Sequence, residues 1–406
     1  MMKSQMMNNQ FKINLNLNIE VKSCKLKEIL EAFKLSVLSC FQEFVKQVLQ
    51  HYADEYMKTG ELAKMLNCKK VIWKTSTGNK LTKIMTIFGI IHIPQLQVKL
   101  SKTGKRKIIT RLLLGIEPRK IIPDFTIKAI GLMGSLATYR VVKKIAGMFT
   151  NVGFSLMTIL RCVRKTGEMI KFAVDKKQKN EFDADGTGLP ILKSSKRGEE
   201  LKVLAQRKRN GKIQVAGMAI GKYNSGWDKL FKPLIESLKA FKKIILITDG
   251  DDSILKGIKG IKVILQRCLF HIPHEGKYTL WQDKIKRKSR VWIHILTKLI
   301  DICNVRKIKE DETIIKKTIK NKKEELEKLI QYCEKNKAEK TATYLKNASN
   351  DIFSGVEKKV TGATTSLLER MMRTINMRIN LGQWSTQSAL AVSKIRGAYY
   401  YNGFDV

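Results

Sequence analysis

The chain opens on a two-residue rhythm: Phe11, Ile13, Leu15, Leu17 and Ile19 alternate with Lys12, Asn14, Asn16 and Asn18. That period predicts a strand with one wet face. The rhythm then lengthens. Leu26, Leu30, Phe33, Val37, Phe41, Phe44, Val48 and Tyr52 recur every three or four places, which predicts a long amphipathic helix suited to packing or self-association. Residues 80–100 read as strands interrupted at Gly89 and Pro94. Helical spacing returns over 120–170. Asp124, after Pro123, is a candidate cap for one helix, and Ser135 for the next, over 138–146. A short turn with Asn151 and Gly153 follows, and Ser155 opens a helix bearing Ile159, Leu160 and Val163. Two helices across a short glycine-containing turn make a helix-turn-helix candidate. Its second helix offers Thr158, Arg161, Arg164 and Lys165 to a DNA groove.

From Glu181 the pattern becomes that of strands. A short one over 182–185 ends at Gly186, and strands over 201–207 and 212–220 flank Asn210-Gly211, a strong hairpin turn pair. Residues 225–241 read as a helix with Leu230, Leu234, Ile235 and Leu238 on one side. The run Ile-Ile-Leu-Ile-Thr over 244–248 has the character of a buried central strand, closed by Asp249-Gly250. A last strand is expected over 261–265. This order predicts an α/β layer with a hairpin at one side, the order of an RNase H-like fold with a mixed five-stranded sheet. Residues 283–360 are rich in Lys and Glu with no strand signal. They predict an all-helical insertion, either a solvated bundle or a grip on DNA beside the site. The expected segments are 1–60, strand plus helix; 61–119, a β-hairpin region; 120–175, a mainly helical DNA-binding region; 176–282, the first part of the core; 283–360, the insertion; and 361–406, the rest of the core.

Charge narrows the choice of partner. The 406 residues carry 78 Lys+Arg against 36 Asp+Glu, a formal charge of +42. Such an excess attracts a polyanion, because each cation near a phosphate releases a condensed counterion. Lys, Ile and Asn are all abundant, so an AT-rich genome supplies part of it. Seven scattered Cys without a CxxC pair give neither a disulfide framework nor a zinc ribbon. No uncharged apolar run reaches the ~18 residues of a spanning helix, and no apolar region follows Lys3 as in a signal peptide. The expectation is a non-secreted protein with no membrane partner, cytoplasmic and associated with a prokaryotic nucleoid. The absence of GxxxxGK[ST] leaves ATP unimplied.

Carboxylates are the candidate chemistry. Asp249 ends a buried strand, and such ends open on the crevice where α/β proteins bind ligands. Asp185 ends a shorter strand, and Asp183 lies two residues earlier on the same face. Two carboxylates from adjacent strands, with phosphate and water, suffice for Mg²⁺ or Mn²⁺. A pair of such ions activates a nucleophile and steadies a leaving oxygen. A third carboxylate is expected on a helix from Thr365 or Ser366 towards Asn380. Leu368, Met372, Ile375 and Ile379 form its apolar stripe, and Glu369, Arg373, Asn376 and Asn380 a polar one. Glu369 then looks across the sheet edge while Arg373 meets phosphate; a plain i,i+4 surface pair is the alternative. Cys268 and His271, with His274 nearby, fall short of the four ligands zinc requires. They fit a structural pair or one that organises the active-site side. Trp281, Trp292 and Trp384 are core candidates, or a surface on which an unpaired base stacks.

Taken together these residues resemble the Mutator-like superfamily of DDE transposases, which includes bacterial and archaeal insertion-sequence enzymes. The resemblance spans about residues 85–396. Asp185-Gly186-Thr187 is similar to the first motif and Thr248-Asp249-Gly250 to the second; Cys268-x-x-His271 is similar to the Cys/Asp-x-x-His motif that follows. Thr364-Thr365-Ser366-Leu367-Leu368-Glu369-Arg370, continued by Asn380-Leu-Gly-Gln-Trp384-Ser385, resembles the segment bearing the final Glu. Residues 86–98, with Phe88-Gly89, resemble a segment upstream of the core in some insertion-sequence subfamilies. The resemblance implies Asp185, Asp249 and Glu369 as a triad holding two Mg²⁺ or Mn²⁺ ions, with Asp183 an alternative first Asp. It implies cutting and joining of double-stranded DNA at terminal inverted repeats and in a target. Arg370 and Arg373 would meet DNA, Cys268 and His271 would support the motif, and pairing of two ends implies a homodimer or larger assembly. The chain departs from the pattern in lacking a zinc-binding region before the core.

Overall fold

The computed structural model describes residues 15, 17, 19–20, 25–100, 104–150, 153–192, 199–307, 311–358 and 363–404. Its contacts divide the chain into two units, Met1–Thr166 with Val406, and Gly167–Asp405. The expected 120–175 segment is therefore divided, and everything from 176 to the last described residue shares one unit. Among the described residues, no helix is long and apolar enough to cross a membrane.

In the first unit, α1 (Leu26–Lys58) has two apolar faces. Leu38, Phe41, Val45, Leu49 and Ala53 pack on the core formed with Ile91, Ile93 and Val98. Leu26, Leu30, Phe33, Val37 and Phe44 stay exposed. The strand expected over 11–19 falls mostly outside the described residues; Leu15, Leu17 and Ile19 are described and belong to no strand. After α2 (Glu61–Met65), β1 (Val71–Thr86), β2 (Gly89–Leu100) and β3 (Arg106–Ile108) form an antiparallel sheet in that order. β1 begins well before residue 80. Gly89 turns the hairpin at φ +142, where a Cβ would meet Leu38 at 2.9 Å. Pro94 does not break β2. It lies opposite Leu81, where the β1 register slips between Thr77 and Leu81, and such an irregularity tolerates a residue without an N–H.

α3 (Thr110–Leu113) leads to α4 (Asp124–Leu136), α5 (Tyr139–Phe149) and α6 (Leu156–Met169). Two expected caps are corrected. Asp124 is the first residue within α4, and its Oδ1 meets Lys165 Nζ at 3.1 Å. Ser135 is buried inside α4, donating to the Leu132 carbonyl, while Thr138 Oγ1 caps α5 by accepting from Val141 N. Ser155 caps α6 as expected, its Oγ accepting from Thr158 N at 3.0 Å. Asn151 lies outside the described residues. Gly131 lets α4 and α6 touch: a Cβ there would sit 2.2 Å from Thr166 Oγ1.

The second unit is built on a mixed five-stranded sheet in the order β6-β5-β4-β7-β8. β4 (Glu181–Gly188), β5 (Glu200–Arg207) and β6 (Ile213–Gly221) are antiparallel, with Gly211 at φ +79 in the β5–β6 turn. β7 (Ile244–Thr248) and β8 (Val263–Arg267) run parallel to β4. The helix expected over 225–241 is two: α7 (Tyr223–Phe231) and α8 (Ile235–Leu238). Pro233 lies between them, and its ring and missing N–H end a continuous helix. α9 (Asp252–Gly257) follows β7. On this face Phe182, Ala184, Leu204 and Leu246 pack against Trp227, Leu230, Phe231 and Ile254.

The helical layer begins earlier than residue 283. α10 (His271–Gln282) shares one core with α11 (Arg290–Ile302), α12 (Glu312–Lys335), α13 (Glu339–Ala348) and α14 (Ser354–Glu357), centred on Ile272, Leu299, Ile330 and Leu345. α15 (Ser366–Asn376) and α16 (Thr386–Gly397) complete the unit. α15 stops at Asn376 rather than running to Asn380, and a 3₁₀ turn covers Ile379–Leu381.

Candidate active site

Strand register sets the site. β4 and β7 pair in parallel up to Asp183 opposite Ile247. Asp185 and Asp249 both follow the last paired residues, at the same end of these two adjacent strands. Past Thr248 the chain turns sharply. Thr248 Oγ1 accepts from Gly250 N at 3.0 Å, and Asp249 Oδ1 accepts from Asp251 N at 3.0 Å. Gly250 is held at φ +101 with its α-carbon against the Arg267 guanidinium, where a Cβ would come within 2.3 Å. Asp251 then caps α9, its Oδ1 accepting from Ser253 N.

The third carboxylate arrives on the first turn of α15. Thr365 precedes that helix, fully buried, and its hydroxyl serves the site instead of capping the helix. It lies 3.3 Å from Glu369 Oε1, 3.3 Å from Cys268 Sγ and 3.4 Å from His271 Nδ1. His271 Nε2 in turn stands 3.7 Å from Glu369 Oε1. Cys268 and His271 thus both meet the Thr365 hydroxyl, which in turn meets Glu369. His274 is turned away, exposed beside Glu275.

Asp185, Cys268 and His271 each respond to their neighbours. Burial, then the charge of Asp249, pushes the Asp185 carboxyl up to about 7, with Glu369 adding to the rise; Gly186 N–H and His271 oppose it. The hydrogen bond with Cys268 holds His271 up to about 9 against burial, helped by the charges of Glu369 and Asp185. Burial disfavours the Cys268 thiolate, but hydrogen bonds from His271 and Thr365 outweigh it and lower its pKa. Among the described residues, no three His, Cys, Asp or Glu groups are gathered closely enough to form a ready-made metal cage.

A pH test follows. The folded chain binds the Asp185 proton more tightly than an unfolded chain, where Asp titrates near ~3.9. Metal-free protein therefore loses stability through this group as pH rises from about 4 to about 7. Chemical denaturation in EDTA is expected to show Asp185→Asn gaining on the wild type across that window. A stability difference that stays flat contradicts it.

Asp183, the alternative first Asp, is engaged elsewhere. It is fully buried, and Arg207 grips it, with Nη2 at 2.8 Å and Nε at 3.1 Å. Arg207 also donates to the Thr364 carbonyl at 2.9 Å, one residue before Thr365. This pair therefore anchors the entry to α15. A second buried pair, Arg267 with Asp351 at 2.9 and 3.0 Å, ties the end of β8 to the helical layer. From the chain alone Thr365 is a helix start, Arg207 is only the last residue of a strand, and Asp351 has no local motif.

The remaining candidates divide. Arg370 and Arg373 are exposed on α15. Asn376, on the expected polar stripe, is buried and donates to Thr187 Oγ1 at 3.3 Å. In the first unit Arg161 is exposed and Arg164 half-buried, Lys165 is paired with Asp124, and the Thr158 hydroxyl meets Ser155 Oγ at 2.9 Å. Of the tryptophans, Trp384 is buried with Nε1 donating to the Ile379 carbonyl, and Trp292 packs on the helical core. Trp281 is not a core residue: it is 67 % exposed and stacked on Tyr278, centroids 5.7 Å apart.

No family model matches the chain, and no curated protein matches it in sequence.

Proposed function

We propose that this chain is a DDE-type DNA transposase of the Mutator-like kind, with an RNase H-like core. It cuts DNA at element ends and joins the freed 3′-hydroxyl to target DNA. The observation that carries this reading is the convergence on Asp185 of Asp249 and Glu369, whose charges both raise it, from the carboxyl end of the parallel neighbour strand and the first turn of α15. The strand order, with an antiparallel β4-β5-β6 meander beside parallel β7 and β8, is the order expected of that core.

The donor set fits Mg²⁺ or Mn²⁺. All three groups supply hard oxygen, and the proximity that raises Asp185 is what a divalent cation relieves. Asp185, Asp249 and Glu369 would hold the ions. Bound there, the metal supplies charge neutralisation for in-line displacement at a phosphodiester. The protein's own share is positioning. Thr365, Cys268 and His271 orient Glu369, and the Asp249 turn fixes its carboxylate. Arg370 and Arg373 face solvent one and four residues beyond Glu369, placed to meet backbone phosphate. The helix-turn-helix of α5 and α6 reads element ends, with Arg161 the most open cation of its candidate recognition helix.

The test is to search the DNA flanking the gene for a pair of matching inverted repeats and to run a strand-transfer assay on duplex carrying them, with Mg²⁺ or Mn²⁺. Cleavage followed by joining is expected. Cleavage without joining makes the chain a nuclease of the same core, and binding without either makes it a DNA-binding derivative. Trp281 supplies a second measurement. Base stacking on an aromatic face contributes ~1–3 kcal/mol, so Trp281→Ala is expected to slow cleavage roughly tenfold on intact ends. Ends with an unpaired flank should be less affected, and equal loss on both would remove Trp281 from the DNA path.

A further inference from the structure

The two ends of the second unit's sheet carry opposite charge. The carboxylates lie where β4 and β7 finish. At the other end, where β4, β7 and β8 begin and the β5–β6 hairpin turns, there is a cavity of about 680 Å³. Lys179, Arg209, Lys242, Lys243 and Lys262 line it, with Phe241 on one wall. Each comes from a different approach to the sheet or the hairpin tip, except the adjacent Lys242 and Lys243.

The walls are fixed by the sheet's own hydrogen bonds. Asn180 Nδ2 donates to the Lys243 carbonyl at 2.8 Å, and Ile245 N donates to the Asn180 carbonyl at 2.9 Å. Ile244 N donates to the Lys262 carbonyl at 3.0 Å, and Arg209 N donates to Gln178 Oε1 at 3.1 Å. Phe241 is braced edge-on against Phe182, centroids 6.0 Å apart. Lys179 has Glu181 at 3.4 Å. Among the described residues, Arg209, Lys242, Lys243 and Lys262 have no carboxylate within ion-pair distance, and all four are exposed.

Like charges held together on a rigid frame repel, and an anion seated among them removes that repulsion. The lining spreads ammonium and guanidinium groups over a concave surface, and its two amides already serve the protein, Gln178 accepting from Arg209 N and Asn180 donating to the Lys243 carbonyl. That suits a row of phosphates more than one compact anion. We infer that this cavity is a second duplex-DNA contact, holding backbone phosphates at the end of the sheet remote from the carboxylates. The choice of DNA as the polyanion rests on the function proposed above; the contact itself does not require catalysis.

The test compares Arg209→Ala/Lys242→Ala/Lys243→Ala/Lys262→Ala with a control lacking the same number of exposed cations elsewhere, Lys58→Ala/Lys64→Ala/Lys69→Ala/Lys70→Ala. Affinity for a non-specific 30-base-pair duplex is measured across salt concentration. Each lost phosphate contact reduces the log–log salt slope by ~0.9, so the cavity variant is expected to lose about 3 to 4 from the slope. The control should lose less than about 1. Circular dichroism and melting of both variants are expected to match the wild type. An unchanged slope in the cavity variant overturns the inference, as does an equal fall in the control, which assigns the effect to net charge alone. Duplex RNA of the same length is the second arm; a slope change confined to RNA also overturns it. If the wild type neither cuts nor joins DNA, the function proposed above fails while the slope result still stands.

Discussion

Asp249→Asn is expected to abolish divalent-ion-dependent strand cleavage, by about a thousandfold or more, which corresponds to ~4 kcal/mol of barrier. The substitution is chosen because it preserves shape. The Asn side-chain oxygen can still accept from Asp251 N, the bond that closes the turn after β7. What disappears is the negative charge that, after burial, most raises the Asp185 pKa. Duplex binding should stay within about twofold, because phosphate contacts are made by cations far more numerous than this one group. A calorimetric titration adds a second readout. Mg²⁺ or Mn²⁺ should stabilise the wild type as a ligand bound only to the folded state, by ~2.7 kcal/mol at a hundred times its dissociation constant. The variant should lose most of that gain. Single-turnover cleavage of labelled end DNA within tenfold of wild type would remove Asp249 from the chemistry.

The second large effect concerns Asp183. Asp183→Ala leaves the Arg207 guanidinium buried without its carboxylate. Breaking such a pair from one side costs roughly 3–5 kcal/mol, or roughly 6–20 °C in melting temperature for a unit of about this size. The entry to α15 should loosen as well, since Arg207 also holds the Thr364 carbonyl. Asp185→Ala, two residues along the same strand face, should leave melting almost unchanged or raise it at neutral pH. There the lost group is a carboxylate that burial and a like charge both disfavour. Thermal denaturation of the two variants side by side separates a structural aspartate from a functional one. An Asp183→Ala protein melting within about 2 °C of wild type would return Asp183 to the list of candidate ligands.

That contrast marks what the chain alone discloses. Period-two and period-three patterns located most strands and helices of the second unit, because core burial at Leu246 or Leu299 dictates residue type directly. The strand-end position of Asp249 was legible for the same reason, since an apolar run must stop where the crevice opens. Asp183 and Asp185 were not separable. Both follow the same alternation, and only the partner arriving on β5, Arg207, distinguishes them. Thr365 was visible as a helix start but not as a contact of Cys268 and His271, because those contacts span 97 and 94 positions. Ser135 and Asp124 misled as caps for a simpler reason. Ser and Asp favour helix starts, yet each found another partner: Ser135 the Leu132 carbonyl within its own helix, and Asp124 the ammonium of Lys165, 41 positions on.

Arg267 closes the sheet's outer edge only by reaching an aspartate 84 positions further along, and the same guanidinium packs under Gly250. The helical layer is therefore a buttress of the loop that carries Asp249, not an appendage to it. During synthesis the five strands leave the ribosome well before that buttress exists, and Glu369 emerges later still. A nascent chain halted anywhere short of residue 351 would present strands whose Asp249 loop lacks its brace.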